Sequence, residues 1–351
     1  MLLLLARDMQ WRWRRLAAGV LATALVLAMT LLLGALRESF LAETERTVAF
    51  FGADEWIVPD DTAGPFTSNS PISASVADDI RSQDGVRGAT PVAIFRHAVE
   101  GIRDGFTDVS VIAYGAGDVV DPVVADGRAP AATGETAVDE RTGARLGEEI
   151  TLSGEPFTVV GIMRGFTMYG GTPGILLTLE DAQRIAYRGE PLASAIVVVG
   201  GPVDAPTGLA TQTPQQIGDD LRRPLAVVTG SLGVLQLLLW VVAAAIVGLL
   251  AYLSSLDRQR DVTVFKALGV SSGRLVAGVL AEGAVTAVLG ATVGLVIGIV
   301  LVPLFPIDVA VSPAQAVALL ALALVVGMLA GSLGIRRVLR ADPARAFAAL
   351  D

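Results

Sequence analysis

The chain has 351 residues, of which 53% are hydrophobic and 17% charged, with a mean hydropathy of +0.62; a soluble domain carries roughly 25% charged residues. The formal net charge of −9 is unevenly placed, because residues 37 to 225 hold 14 arginines against 28 acidic residues while the remainder holds 12 basic and 7 acidic ones. With no cysteine, a single histidine (His97) and a single lysine (Lys266), disulfides, thiol chemistry and thiolate metal sites are excluded, and the acidic surplus argues against nucleic acid as a partner.

In chain order, residues 1–15, "MLLLLARDMQWRWRR", mix leucines, two tryptophans and four arginines, the composition of an interfacial amphipathic helix. Leu16 to Leu36 is an uncharged run of 21 residues, longer than the roughly 7–15 apolar residues of a signal peptide. The run therefore reads as a retained first transmembrane helix, 16–36.

Residues 37–225 follow with a mixed pattern of strands and helices, predicting an α+β domain in two lobes, approximately 50–120 and 121–200. Strands are expected at "DEWIVPD", "GATPVAIFRHAVEG", "TDVSVIAYGAG", "EEITLSG", "PFTVVGIM" and "ASAIVVVGG". Helices are expected at "SASVADDIRSQ", opened by a serine cap, at "TLEDAQRIAYRG" and at "TPQQIGDDLRRP". His97 alternates like a strand residue inside "PVAIFRHAVEG", so a triad role is the weaker reading of it. The Gly-rich stretch "RGFTMYGGTPG" (164–174) lacks the lysine and order of a P-loop; it reads as a flexible hairpin tip that needs no ligand, with contact to a substrate or partner as the second reading.

Three further uncharged runs, Pro224 to Leu256, Gly283 to Ile307 and Val309 to Ile335, contain 33, 25 and 27 residues, and about 20 suffice to cross a bilayer. They predict transmembrane helices at 228–253, 275–302 and 314–335, joined by loops 254–274 and 303–313 and followed by a tail, 336–351. Basic residues cluster before the first span (Arg7, Arg12, Arg14, Arg15), in the 254–274 loop (Arg258, Arg260, Lys266, Arg274) and in the tail (Arg336, Arg337, Arg340, Arg345), and are missing from 303–313. The positive-inside bias then puts both termini and the 254–274 loop in the cytoplasm and residues 37–225 outside it.

Within the spans, Glu282 is a candidate ion-relay carboxylate if it does not simply reach the interface. Gly290, Gly294 and Gly298, with Gly327 and Gly331 on the last span, recur every four residues. Such ladders let helix backbones approach closely, within one protomer or at a dimer contact.

The loop sequence "LDRQRDVTVFKALG" is helical in pattern: Val262, Phe265 and Leu268 recur at three-residue steps with charges on the other side, and Gly269 is a natural stop. Lys266 is followed by Ala267 rather than Ser or Thr, so the chain has no P-loop and any ATPase is another polypeptide. Read on residues alone, the loop is either an orientation signal or a docking element.

Asp257, Arg258, Arg260, Asp261, Val262, Lys266, Ala267 and Gly269 fit a pattern acidic-R-x-R-acidic-aliphatic-x-x-x-K-A-x-G, which resembles the signature of FtsX-like permeases, the MacB and LolC/LolE class of ABC transporter. The tail "RRVLRADPARAFAAL" and the phrases "DGRAP", "GETAVDE" and "ARLGEEITLSGEPFTVVGIM" are similar to the same family. No ATPase is fused at the N-terminus as in MacB, and Asp257 and Asp261 stand where glutamates are more usual.

The resemblance implies an integral membrane α-helical protein of four transmembrane helices in a bacterial inner or plasma membrane, with a large extracytoplasmic MacB-like α+β domain between helices 1 and 2. It implies two copies of an ABC ATPase subunit, which bind ATP and Mg while this chain holds no cofactor, and a second permease protomer, identical or not. An extracytoplasmic adaptor or lipoprotein is a further implied partner.

Asp257 to Gly269 would be the coupling element, with Val262, Phe265 and Leu268 seated in an apolar groove of the ATPase and Arg258, Arg260 and Lys266 paired around it. The leading function is mechanotransmission that exports or extracts a lipid, lipoprotein, peptide or drug. Alternatives are an FtsX-like signalling subunit that activates a cell-wall hydrolase, and uptake of a small polar nutrient such as an amino acid.

Overall fold

In a computed structural model of the chain the described residues are 13–68, 70–100, 106–115, 120, 122–257, 270–304 and 309–331. The expected interfacial helix (apart from its last three residues), the coupling segment Arg258 to Gly269 and the tail 336–351 lie outside them. The chain divides into two compact units, one made of residues up to Glu38 and from Thr229 onward, the other of Ser39–Val228.

Among the described residues the first unit is built of long helices: α1 (Trp13–Phe50), of which the part up to Glu38 belongs here, then, after the second unit, helices at Ala226–Asp257, Ser272–Leu301 and Pro313–Gly331. Three helical stretches, Ala17–Phe50, Pro214–Leu250 and Gly273–Leu304, are long and apolar enough to cross a membrane, and the apolar stretch Pro313–Leu329 is shorter. The expected fourth span, 314–335, is thus described only in part.

These helices pack through Leu27, Leu31, Ala243, Val247, Ala287, Ala291, Leu319 and Ala323. Large side chains such as Leu25, Leu237, Val296 and Leu329 stay exposed on them, as apolar surface covered by lipid must be. A Cβ on Gly294 would lie 2.6 Å from the Ala24 carbonyl, and one on Gly290 2.9 Å from Thr23. One on Gly298 would meet Leu31 at 2.9 Å, and one on Gly327 the Gly283 carbonyl at 2.6 Å. These four glycines therefore sit at helix–helix contacts inside one protomer.

The second unit is α+β. Its strands are β1 (Glu55–Pro59), β2 (Ile72–Ser73), β3 (Val86–Glu100), β4 (Phe106–Tyr114), β5 (Asp126–Gly127), β6 (Glu135–Asp139), β7 (Glu149–Leu152), β8 (Glu155–Met163), β9 (Thr167–Met168), β10 (Thr172–Thr178), β11 (Leu192–Ala193), β12 (Ala195–Gly200) and β13 (Leu209–Gln212). Three short helices, α2 (Val76–Arg81), α3 (Leu179–Ala186) and α4 (Pro214–Arg222), complete it, and numbering continues with α5 (Ala226–Asp257), α6 (Ser272–Leu301) and α7 (Pro313–Gly331).

Eleven strands form one sheet whose main path is β13-β1-β12-β3-β4-β10-β6-β8-β5. The β4/β10 and β6/β8 pairs are parallel and the others antiparallel. Strands from either side of residue 120 thus interleave, β12 between β1 and β3 and β10 beside β4. The sheet does not separate into lobes at 50–120 and 121–200, because pairing follows face burial and crossover geometry rather than chain order.

Alternation along the strands sends residues to two faces. Trp56, Val92, Ile112, Leu176 and Val197 lie in one core with Phe51, the residue after α1, and Ile217 and Leu221 of α4, and Val48 and Phe50 of α1 pack against it. Ala93, Val111, Ile175 and Ala182 of α3 lie in a second core, and Ile57, Ile196 and Ile80 of α2 in a third. The end of α1 and the short α4 therefore cover the same face of the sheet.

Candidate functional site

Along the last turns of α1, Phe40, Glu43, Thr44 and Thr47 are all buried, at spacings that put them on one helical stripe. Thr44 and Thr47 satisfy their hydroxyls on the helix by donating to the Phe40 and Glu43 carbonyls at 3.1 and 3.0 Å. Glu43 turns outward from the helix instead. With 6% exposure, its Oε1 accepts the backbone N–H groups of Gly170 and Gly171 at 3.1 and 3.4 Å.

Those glycines have φ of +85° and +99°, a region closed to most side chains, which is how consecutive N–H groups come to point at one oxygen. The Gly-rich stretch is thus not a free hairpin tip. Its other end is held by Asp139, fully buried, whose carboxylate accepts the N–H of Phe166 at 2.7 Å and of Arg141 at 3.0 Å. Burial pushes the Asp139 carboxyl above the ordinary range, against the pull of those two N–H bonds. Phe50 and Phe166 pack at 4.9 Å between ring centroids.

A matching arrangement ties α4 to the loop after β1. A Thr213–Gln216 capping box opens α4, with Pro214 in its first turn. Asp220, fully buried, accepts the N–H groups of Phe66 at 2.9 Å and Thr67 at 3.3 Å and the Thr67 hydroxyl. A Cβ on Gly64 would stand 2.5 Å from the Asp220 Oδ2, so a glycine is required there.

Tyr169 joins the two loops. Its hydroxyl donates to the Phe66 carbonyl at 2.7 Å, and the Arg96 guanidinium lies 5.4 Å from its ring centroid. Burial, and then the Asp220 charge, push the phenol upward, so Tyr169 remains a neutral donor. The site consists of two helices, each carrying a buried carboxylate that grips a loop of the sheet.

Among the described residues no cluster of His, Asp and Glu could hold a metal ion. His97 does find a partner that its strand pattern does not reveal: its Nε2 lies 2.8 Å from the hydroxyl of Ser153, in the left-handed region at φ +54°. Among the described residues that imidazole has no bonded carboxylate, so the pair is not a triad.

Asp257 is the last residue of α5; Arg258, Arg260, Asp261, Val262, Phe265, Lys266, Ala267, Leu268 and Gly269 lie outside the described residues. Gly331 ends α7. Ser75 occupies the N-cap of α2, as expected, and Ser271 that of α6, but neither side chain makes the capping bond. Glu43, Asp139 and Asp220 are not singled out by sequence, since each is one acid among many in an acidic segment. For Glu43 the helical stripe from Phe40 to Thr47 is the signal.

Residues 16–212 match the MacB-like periplasmic core domain, and residues 233–343 match the FtsX-like permease C-terminal family. An uncharacterised ABC transporter permease of Mycobacterium tuberculosis (strain ATCC 25618 / H37Rv) is 41% identical over 349 residues, 99% of each chain. A second from that strain is 37% identical over 351 residues, again 99% of each. Among solved structures, the periplasmic region of MacB from Actinobacillus actinomycetemcomitans aligns with a TM-score of 0.37 at 14% identity, covering 49% of this chain and 95% of that one. The extracellular domain of the noncanonic ABC-type transporter YknZ from Gram-positive bacteria aligns with a TM-score of 0.32 at 16% identity, covering 43% and 83%.

Proposed function

The chain belongs to the ABC transporter permeases that join a MacB-like periplasmic core domain to an FtsX-like C-terminal part, and from that premise we propose that it works by mechanotransmission. An ABC permease acts with an ATPase subunit, and here the ATPase docks on the cytoplasmic 254–274 loop. Val262, Phe265 and Leu268 seat in its apolar groove, and Arg258, Arg260 and Lys266 set the register. Four spans cross the membrane, both termini are cytoplasmic, and residues 37–225 face outward. Two protomers and two ATPase subunits assemble, and the cargo is a hydrophobic molecule such as a lipid, lipoprotein, peptide or drug.

The observation that supports this reading is the pair of carboxylate grips. α1 continues without a break from Trp13 to Phe50 and carries Glu43; the apolar helical stretch Pro214–Leu250 carries Asp220 at its start. A displacement along either helix pulls on backbone N–H groups of a loop, 164–174 or 64–68, and so on the strands those loops join. Such coupling needs no channel through the protein.

The test is to copurify the permease with its ATPase and measure hydrolysis with candidate substrates. Phe265→Ala should abolish substrate-stimulated turnover while the protein remains in the membrane. Turnover that survives the substitution would remove the loop from the coupling path.

A further inference from the structure

Beside the Gly-rich loop, the last turns of α1 and the segment 163–167 enclose a cleft of about 380 Å3, at the small end of the roughly 300–1,000 Å3 of ligand sites. Its lining includes the apolar Phe50, Phe166, Met163 and the exposed Val123 together with the basic Arg46 and Arg164. In a segment with twice as many acidic residues as arginines, the described lining holds two arginines and no carboxylate.

Neither is firmly neutralised. Arg46 makes no ion pair among the described residues; its Nε donates to the Ala42 carbonyl at 3.3 Å. Glu43, which lies in the field of Arg46, has its Oε1 bound to Gly170 and Gly171. The Arg46 Nη1 lies 3.1 Å from where a Cβ of Gly165 would stand, and Gly165 has φ +67°, so the glycine leaves the guanidinium its place. Arg164 reaches Asp126 and Glu140 only at 3.5 Å, with all three side chains more than half exposed, a loose pairing worth little in water.

We infer that this cleft binds an anionic lipid, its phosphate held between Arg46 and Arg164 and its apolar part lying on Phe50, Phe166 and Met163. Guanidinium groups grip phosphate oxygens in paired, charge-assisted bonds, and the adjoining aromatic wall suits an acyl or glycerol backbone better than a hydrated anion.

Native mass spectrometry of the full chain, released from detergent with added phosphatidylglycerol or phosphatidylcholine, tests this without an ATPase or turnover, so failure leaves the transporter reading standing. Wild type should retain one phosphatidylglycerol about tenfold better than phosphatidylcholine. Arg46→Gln with Arg164→Gln should lose the preference, and Arg87→Gln, which removes a surface arginine paired with Asp54, should keep it. Val123→Asp, at a position 88% exposed and so without folding cost, should weaken retention several-fold by placing a carboxylate at the rim.

No headgroup preference in the wild type, or an unchanged preference in the double variant or in Val123→Asp, overturns the site. Complete displacement of the lipid by glycerol phosphate at equal concentration overturns the amphiphile and leaves only a free-phosphate site.

Discussion

Replacing Glu43 by alanine removes the acceptor that holds Gly170 and Gly171 and leaves two inward-pointing N–H groups without a partner. A hydrogen bond to a charged acceptor contributes about 1.5–3 kcal/mol. The 3.1 Å bond from Gly170 belongs in that range, whereas the 3.4 Å bond from Gly171 is near the limit of bonding geometry and adds little. The loop should therefore open about 2 kcal/mol more easily, and at tenfold per ~1.4 kcal/mol its amides should exchange with deuterium about 30-fold faster.

Glu43→Gln keeps a carbonyl acceptor but loses the charge, so a cost of about 1 kcal/mol and a fivefold acceleration are expected. Hydrogen exchange read by mass spectrometry on peptides covering 168–172 is the assay. Peptides from β3 and β4 are the control that the sheet itself is intact. Exchange in Glu43→Ala within about twofold of wild type, less than ~0.5 kcal/mol, would refute the grip and with it the route proposed from α1 to the sheet.

Two other outcomes test the packing and the charge network. Gly294→Leu should lower the thermal midpoint in detergent by an amount matching about 1–3 kcal/mol of overpacking, since its Cβ would meet the Ala24 carbonyl at 2.6 Å. Gly230→Leu, whose Cβ meets nothing within 4 Å, should be near neutral; equal effects of the two would contradict the close approach. Glu135, paired with Arg128 and accepting the Ala131 N–H, has its carboxyl lowered from 4.5 to about 2, chiefly by the Arg128 hydrogen bond. A depressed pKa stabilises the fold above the unfolded value, and that contribution fades as pH falls from about 4.5 toward 2. Thermal midpoints measured from pH 6 to pH 3 should fall less steeply in Glu135→Gln, and parallel curves would show that the pair adds nothing.

Much of this architecture can be read from residue order. Uncharged runs mark the helices of the first unit because a bilayer core tolerates few charges, and alternation in "GATPVAIFRHAVEG" marks β3 because its two faces lie in different cores. The Thr-Pro-x-Gln cap of α4 is equally legible. The placement of β12 between β1 and β3 is not, since about 95 residues separate β12 from β3 and no local pattern encodes a non-local partner.

The grips were hidden for a related reason. An aspartate such as Asp220 is expected on a solvated surface, and only the approach of Phe66 and Thr67, about 150 residues away in sequence, turns it into a buried acceptor. The glycine ladder is intermediate: close packing follows from its four-residue spacing, but α1 as the neighbour of Gly290, Gly294 and Gly298 emerges only in three dimensions.

A Cβ on Gly218 of α4 would stand 3.8 and 3.9 Å from the side chains of Val48 and Thr44 on α1, so the first and last helical turns of the second unit touch. A body whose two ends meet in this way is a cassette: it closes on itself, and a cassette of another size or shape could be exchanged at the same two helices with little change to their spacing. Changes of size or shape in the cassette can then proceed without altering the packing within the helices of the first unit.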